Sequence, residues 1–295
     1  MPFHPYYVSI EGAARITSGT AVIIDVLRAY TTAAWAFALG AERIVLTDDV
    51  DEALVLKALV PRALAMKDSH PLPGFELSNS PVELQTHDLH GRTIVQRTTH
   101  GTVGAVAAKQ AERLYCASFL TAAATADAIL RTGAEEAYFV VTGEGGAAEE
   151  DLACAEYIAA LVEQASLSAG VVHGTGVVHG TGVVHGTGVG HGTGVVHGTG
   201  VVHGTGVLHG TEGIHPGLNP GATHGVDPAP YAARVAASNQ ARIHAERVAG
   251  GTPGVHALDV QTAMEADRFD FVMMARQEHL DGFGPVLTLR RRDPV

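Results

Sequence analysis

The sequence predicts an α/β fold of three layers, α/β/α, built on a mostly parallel or mixed sheet and carrying one low-complexity loop insertion. Three observations predict it. Through the first 166 residues, apolar runs of strand length alternate with stretches of helical periodicity, the order that parallel strands and crossover helices leave in a sequence. A chain of 295 residues with 46% apolar side chains can bury one substantial core or two smaller ones. The alternation breaks at one place, a repeat rich in glycine and histidine.

Strands are expected at 21–24, 43–46, 63–66, 93–96, 113–116 and 137–141, each a short apolar run bounded by polar or turn-forming residues. Helices are expected at 31–39, 50–59, 102–110, 122–131 and 149–164. Residues 1–166 then form the catalytic α/β region, with ligands expected beyond the carboxyl ends of the strands. From 170 to 211 the hexapeptide Gly-Val-Val-His-Gly-Thr runs seven times, with Gly190 and Leu208 as the only substitutions. Two glycines per repeat oppose a helix. A period of six places every repeat histidine on one face of an extended strand, about 20 Å apart, too far for one straight strand to chelate a metal with them. A tolerated, disordered loop expansion over 167–227 is the expectation, with a stacked solenoid and a histidine-rich metal tether as alternatives. Past it, 228–295 offers helices at 231–249 and 258–267 and strands at 271–275 and 286–289, enough to complete the same sheet or to form a small second one.

Charge and composition exclude several functions. Nineteen Lys and Arg against 31 Asp and Glu give a formal charge of −12, which disfavours nucleic acid and anionic membrane surfaces as partners. The most apolar stretch, 21–39, contains Asp25 and Arg28 and makes a poor membrane span. With two cysteines, Cys116 and Cys154, and no signal-like start, the cytoplasm is expected.

Four loops carry candidate chemistry. Asp25-Val-Leu-Arg28, followed by Thr31 and Thr32, ends a strand: the aspartate can hold a hard cation and the arginine can grip a phosphate or sulfonate, or the two can form a structural ion pair. In the second loop, Gly74-Phe-Glu76 precedes Asn79-Ser-Pro81. Ser80, Pro81 and Glu83 are explained as a capping box, whereas Glu76 and Asn79 are not and suit a metal or oxyanion site. Arg97-Thr98-Thr99-His100-Gly101-Thr102 lies between a strand and a helix, where backbone N–H groups, hydroxyls and a glycine can cradle an anion. Finally, a glycine loop at 143–146 feeds an acidic helical turn in which Glu150 or Asp151 can bind metal or transfer a proton.

These four loops, in this order and spacing, resemble the 2-phosphosulfolactate phosphatase family, which carries Asp-Val-Leu-Arg-Ala with Thr-Thr, then Gly-Phe-Asp/Glu with Asn-Ser-Pro, then Thr-Thr-Asn-Gly-Thr, then Glu-Asp on a late helix. The segment from Asp267 to Val272 resembles the family's C-terminal segment. This chain departs from the pattern at His100, where Asn is usual, at Ser78, where Gly is common, and at Glu156, where Gly usually follows Cys-Ala. The resemblance implies a hydrolase, a phosphatase releasing 3-sulfolactate and phosphate with magnesium, as in coenzyme M biosynthesis. It further implies Mg²⁺ on Asp25, Glu76 and Glu150 or Asp151, with Asp25, Arg28, Glu76 and Asp151 as the catalytic set. Arg28, Asn79, Arg97, Thr98, Thr99, His100, Gly101 and Thr102 would bind a small phosphorylated sulfonate or carboxylate. Hydrolysis of another small phosphorylated acid, or a non-catalytic metal-binding role for the histidine repeat, are the alternatives. A homo-oligomer is compatible with the sequence, which shows no interface.

Overall fold

Eight strands come from the first half of the chain: β1 (His4–Val8), β2 (Thr20–Ile24), β3 (Arg43–Thr47), β4 (Leu64–Lys67), β5 (Leu77–Ser78), β6 (Thr93–Arg97), β7 (Arg113–Ala117) and β8 (Glu136–Val141). Between and after them lie α1 (Ile10–Ala13), α2 (Ala29–Ala38), α3 (Val50–Leu59), α4 (Pro81–Leu84), α5 (Gly101–Ala107), α6 (Ala122–Arg131) and α7 (Glu149–Ala169). The computed structural model describes residues 3–68, 72–169, 176–203, 206–209 and 225–293. They fall into two units, one drawn from 3–161 and 218–294 and the other from 162–217.

Each of the six strands expected in residues 1–166 is present in the first unit within a residue of its expected ends, and the two expected at 271–275 and 286–289 are present as longer strands, 272–280 and 284–292. β2 is buried along its whole length, which is why its sequence reads as an unbroken apolar run rather than an alternation. Neighbouring residues in β3 and β6 serve opposite faces. Ile44 and Ile94 join a core with α2, while Val45 and Val95 pack against Ala53 and Leu56 of α3. Helices thus cover both faces. α3 starts where Asp49 accepts the Glu52 N–H at 2.8 Å, a side-chain cap.

The tail supplies α8 (Ala229–Ala237), α9 (Asn239–Ala249), α10 (Asp259–Ala263) and two long strands that form a hairpin, the first at Val272–Leu280 and the second at Gly284–Arg292. The helix expected at 231–249 is two helices, because Ser238 ends one and caps the next through its Oγ, which accepts the Ala241 N–H at 3.1 Å. The hairpin completes the same sheet, and it does so in the middle. Its first strand runs antiparallel to β7, with Met273 opposite Cys116, and its second antiparallel to β3, with Thr288 opposite Val45. Parallel blocks lie on either side, β1-β8-β2-β7 and β3-β6-β4-β5. The expected parallel sheet is therefore mixed, as the wider expectation allowed.

Three antiparallel pairings in a row reverse strand direction, so the two blocks run in opposite senses along the sheet. The loops after β2 and β6 nevertheless line one cavity, which requires the sheet to curl. α2 fills the space so created: it is buried nearly all round, the signature of an enclosed helix, and it shares one core with Ile23 and Val140 from one block and Ile44, Met66 and Ile94 from the other. Asp267 fastens the tail by accepting the Ala123 N–H at 2.7 Å and the Tyr157 hydroxyl. Cys116 and Cys154 are buried free thiols, and burial raises Cys116 to about 12. Among the described residues no helix is long and apolar enough to cross a membrane.

In the second unit the repeat is extended. β9 (Gly176–His203) pairs in parallel with β10 (Gly206–His209), Gly206 opposite Gly194 and His209 opposite His197, a shift of two hexapeptides. Of the insertion expected at 167–227, residues 170–175, 204–205 and 210–224 lie outside the described residues.

Candidate active site

A cavity of about 260 Å³ opens where four strands of the first unit end. Asp25 follows β2, Asp68 follows β4, Asn79 follows β5 and Thr98 follows β6, the carboxyl-end placement that open α/β sheets use for ligands. The far wall is one face of α9.

Each carboxylate on the strand side is held by backbone. Asp25 Oδ1 accepts the Ala29 N–H at 2.9 Å, and the Gly101 N–H also donates to this side chain. Burial pushes the Asp25 carboxyl above its ordinary value, and His100 opposes the shift. Asp68 Oδ2 accepts the Thr99 N–H at 2.7 Å, with Arg97 Nη1 3.6 Å from the other oxygen. Asp68 Oδ1 and Asn79 Oδ1 are buried without a hydrogen-bond partner among the described residues. A buried acceptor left unpaired costs about 1–3 kcal/mol, so Asn79 Oδ1, and Asp68 Oδ1 with only the Arg97 charge at 3.6 Å, can each accept from a ligand in the cavity.

The loop 98–102 does not work as the free anion cradle its sequence suggests. Most of its N–H groups are taken: Thr99 by Asp68, Gly101 by Asp25, and Thr102 by Thr98 Oγ1 at 3.0 Å. Thr98 N–H in turn donates to Thr102 Oγ1 at 2.9 Å. The loop positions the two aspartates instead. Gly101 is required there, since a Cβ would stand 2.6 Å from the Ala29 Cβ and 2.7 Å from Asp25 Oδ2. Thr102 is fully buried, whereas Thr98, Thr99 and His100 line the cavity. Arg97 stands behind them, beside Asp68 and the Asp48 carbonyl.

The positive charge comes from Arg28 and Arg247, and His100 and His244 add imidazoles to the lining. Arg28 is paired, but with Asp259 rather than Asp25. Its Nη1 donates to Asp259 Oδ2 and to the Gly254 carbonyl at 3.1 Å. Asp259, fully buried, also accepts the Ser80 hydroxyl at 2.7 Å and the His256 N–H at 2.9 Å. His244 Nε2 donates to the His256 carbonyl at 2.8 Å; burial lowers its imidazole, and Arg28 and Arg247 add to that shift.

Of the carboxylates expected to share one metal, Asp25 with Glu76 and Glu150 or Asp151, Glu76 lies apart from the others. Glu76 lines a neighbouring cavity of about 340 Å³ with Lys67, Ser78 and Glu83. There it is ion-paired with Lys57 and accepts the Ala65 N–H at 3.0 Å. Asp151 Oδ1 accepts the Val26 N–H at 2.8 Å, and Oδ2 accepts the Gly143 N–H at 3.1 Å and contacts Thr142 Oγ1 at 3.2 Å. It ties the loop after β2 to the start of α7. Glu150, beside Ser238, is raised by burial to about 7, with the Asp25 charge adding to the shift. Burial and the charges of Asp25 and Glu150 push Asp151 up as well. Among the described residues no three His, Cys, Asp or Glu side chains form a ready metal cage, so an ion here would draw on neutral oxygens and on substrate.

Residues 8–175 match the family model described as 2-phosphosulpholactate phosphatase. The chain belongs to the 2-phosphosulfolactate phosphatase family. Relatives named "Probable 2-phosphosulfolactate phosphatase" are 32% identical over 144 residues in Bacillus subtilis, 37% over 145 in Carboxydothermus hydrogenoformans and 39% over 129 in Deinococcus radiodurans. Those stretches are 48%, 48% and 43% of this chain and 63%, 60% and 54% of the relatives, so the chain spans somewhat over half the length of each. The match to the 2-phosphosulfolactate phosphatase family contains Asp25, Arg28, Asp68, Asn79 and Thr98 to His100, and stops short of α9 and Asp259. Sequence reasoning missed Asp68, His244, Arg247 and Asp259. Asp68 had a readable signal, an aspartate directly after an apolar strand, as at Asp25.

Proposed function

We propose that this chain is a Mg²⁺-dependent phosphatase converting 2-phosphosulfolactate to 3-sulfolactate and phosphate, a reaction of the coenzyme M biosynthesis type in the cytoplasm. The observation that carries the reading is the pairing of unsatisfied hard oxygen atoms, Asp68 Oδ1 and Asn79 Oδ1 beside Asp25, with the anchored guanidinium of Arg28 across one small cavity. Family membership supports it.

Asp25, Asp68 and Asn79 would hold the ion, since Mg²⁺ takes oxygen ligands and binds through one or two carboxylates plus substrate phosphate. Bound Mg²⁺ would supply charge neutralisation at the phosphoryl group and acidify the attacking water. Phosphoryl transfer needs little else beyond positioning and electrostatic stabilisation. Arg28, held by Asp259, presents a fixed fork to phosphoryl oxygens, and Thr98, Thr99 and His100 line the cavity beside it. Asp151 and the loop 98–102 keep the loop after β2 and both aspartates in place. In this reading the phosphoryl group passes directly to water.

The test is phosphate release from 2-phosphosulfolactate, phospholactate and an aryl phosphate, with Mg²⁺ and with chelator. Metal-dependent turnover that favours the sulfonated substrate is expected. A preference for phospholactate would assign the site to another phosphorylated acid, and silence from folded protein on all three would overturn the reading.

A further inference from the structure

α9 turns Gln240, Ile243, His244 and Arg247 to the cavity, the i, i+3, i+4 and i+7 positions that form one helix face. Two of the nitrogen donors around the cavity are already engaged, Arg28 by Asp259 and the Gly254 carbonyl, His244 by the His256 carbonyl. Arg247 differs. Its side chain is exposed at the cavity wall and has no hydrogen-bond or ion-pair partner among the described residues. Its charge acts on both Arg28 and His244, so positive potential gathers on this wall with one guanidinium left over. A cleft lined by one sign of charge concentrates the opposite sign, and a planar five-donor fork matches an oxyanion bidentately. The cavity is therefore two-ended, with carboxylate and amide oxygens at the strand ends and one unspent guanidinium on the helix. At about 260 Å³ it suits a small acid rather than a nucleotide.

We propose that Arg247 is a specificity-determining residue that reads a second oxyanion of the substrate, a carboxylate or sulfonate carried beyond the phosphate, with Gln240 beside it as a neutral donor. The inference rests on the phosphatase reading for its substrate class. It adds an orientation: phosphate lies toward Asp25, Asp68 and Arg28, and the second anion toward α9. It also places the selectivity element outside the stretch 8–175 that matches the family.

The experiment compares wild type with Arg247→Met and Arg247→Lys. One arm measures kcat/KM for 2-phosphosulfolactate, phospholactate and an aryl phosphate. A second, independent of turnover, measures binding of 3-sulfolactate and of lactate by calorimetry. In Arg247→Met the ratio of kcat/KM for 2-phosphosulfolactate to that for the aryl phosphate should fall on the order of tenfold to a hundredfold, and 3-sulfolactate binding should weaken by a similar factor. Arg247→Lys should fall between, since it keeps the charge and loses the fork. Loss for phospholactate as well as phosphosulfolactate assigns the carboxylate, and loss for phosphosulfolactate alone the sulfonate. An unchanged ratio overturns the proposal. Should wild type turn over none of the three, the phosphatase reading fails by itself, and the calorimetric arm decides this one: weakened 3-sulfolactate binding upholds Arg247, unchanged or undetectable binding overturns it.

Discussion

Asp25, Asp68 and Asn79 reach the cavity from the ends of three strands, whereas His244 and Arg247 reach it from one face of a tail helix, and the two walls are held differently. On the strand side, backbone N–H groups grip both aspartates, and Gly101 leaves no room for a single extra carbon. On the helix side, His244 makes one anchoring hydrogen bond and Arg247 makes none among the described residues. The difference teaches where each task sits: groups that need a fixed geometry are built into short strand-to-helix turns, and a charge that needs only to be near is left on an exposed helix.

The largest effect that would break this contrast is on Asp25. Asp25→Asn keeps an acceptor for the Ala29 N–H and removes the charge, so Mg²⁺-dependent phosphate release should fall on the order of a hundredfold to a thousandfold while the thermal midpoint stays near wild type. Unchanged turnover in the folded variant would remove Asp25 from the site. Asp259→Ala should come next, because it leaves Arg28 buried without its counter-ion and strips Ser80 and His256 of an acceptor. Urea unfolding should show a loss of about 3–5 kcal/mol. A loss below 1 kcal/mol would show that the two walls are not joined through this pair.

Gly101→Ala tests how tight the strand side is. Overlap with Ala29 and Asp25 should lower stability by about 1–3 kcal/mol and reduce turnover together, read by denaturation and by initial rate. Glu150 probes the field behind that wall. Its folded value, about 7, lies above the ordinary carboxyl value of 4.5, so the folded protein holds this proton more tightly than the unfolded chain. The associated stability is full below pH 4.5 and lost as pH rises through about 7. With chelator present, Glu150→Gln should reduce the fall in stability between pH 5 and pH 8 by about 1–2 kcal/mol, and an identical pH slope in both proteins would count against it. The smallest effect is expected from removing 170–211. A chain lacking the hexapeptides should turn over substrate within about twofold of the full chain, and a larger loss would give the repeat a part in the site.

How much of this was legible follows from the range of the forces involved. β2, β3, β4, β6, β7 and β8 are short apolar runs buried in the sheet, and α3 and α6 begin and end at their expected residues, because local pattern and tertiary burial agree there. β1 was missed: Pro5 within His-Pro-Tyr-Tyr-Val argues against a strand, and the strand it sits in is at the sheet edge, where proline is tolerated. Two-residue β5 is too short to carry a period. Asp25, Arg28, Asn79 and Thr98 to His100 converge as the motif order suggested. Glu76 does not, since its partner Lys57 lies nineteen positions away on another element, and nothing in the spacing announces that ion pair. Asp259 and Arg28 are 231 positions apart and were equally invisible.

The hairpin at the centre of the sheet has a consequence for how the protein is made. β7 and β3 emerge from the ribosome long before the two strands that join them, so for most of synthesis each parallel block exposes an open edge, a row of unpaired backbone groups. The curl that brings the two sets of strand ends together can set only after residues 272–292 have been translated. A nascent chain stalled inside the repeat would hold most of the residues of the strand-side wall and no closed sheet to carry them, so premature termination there should yield an insoluble fragment rather than a slow enzyme.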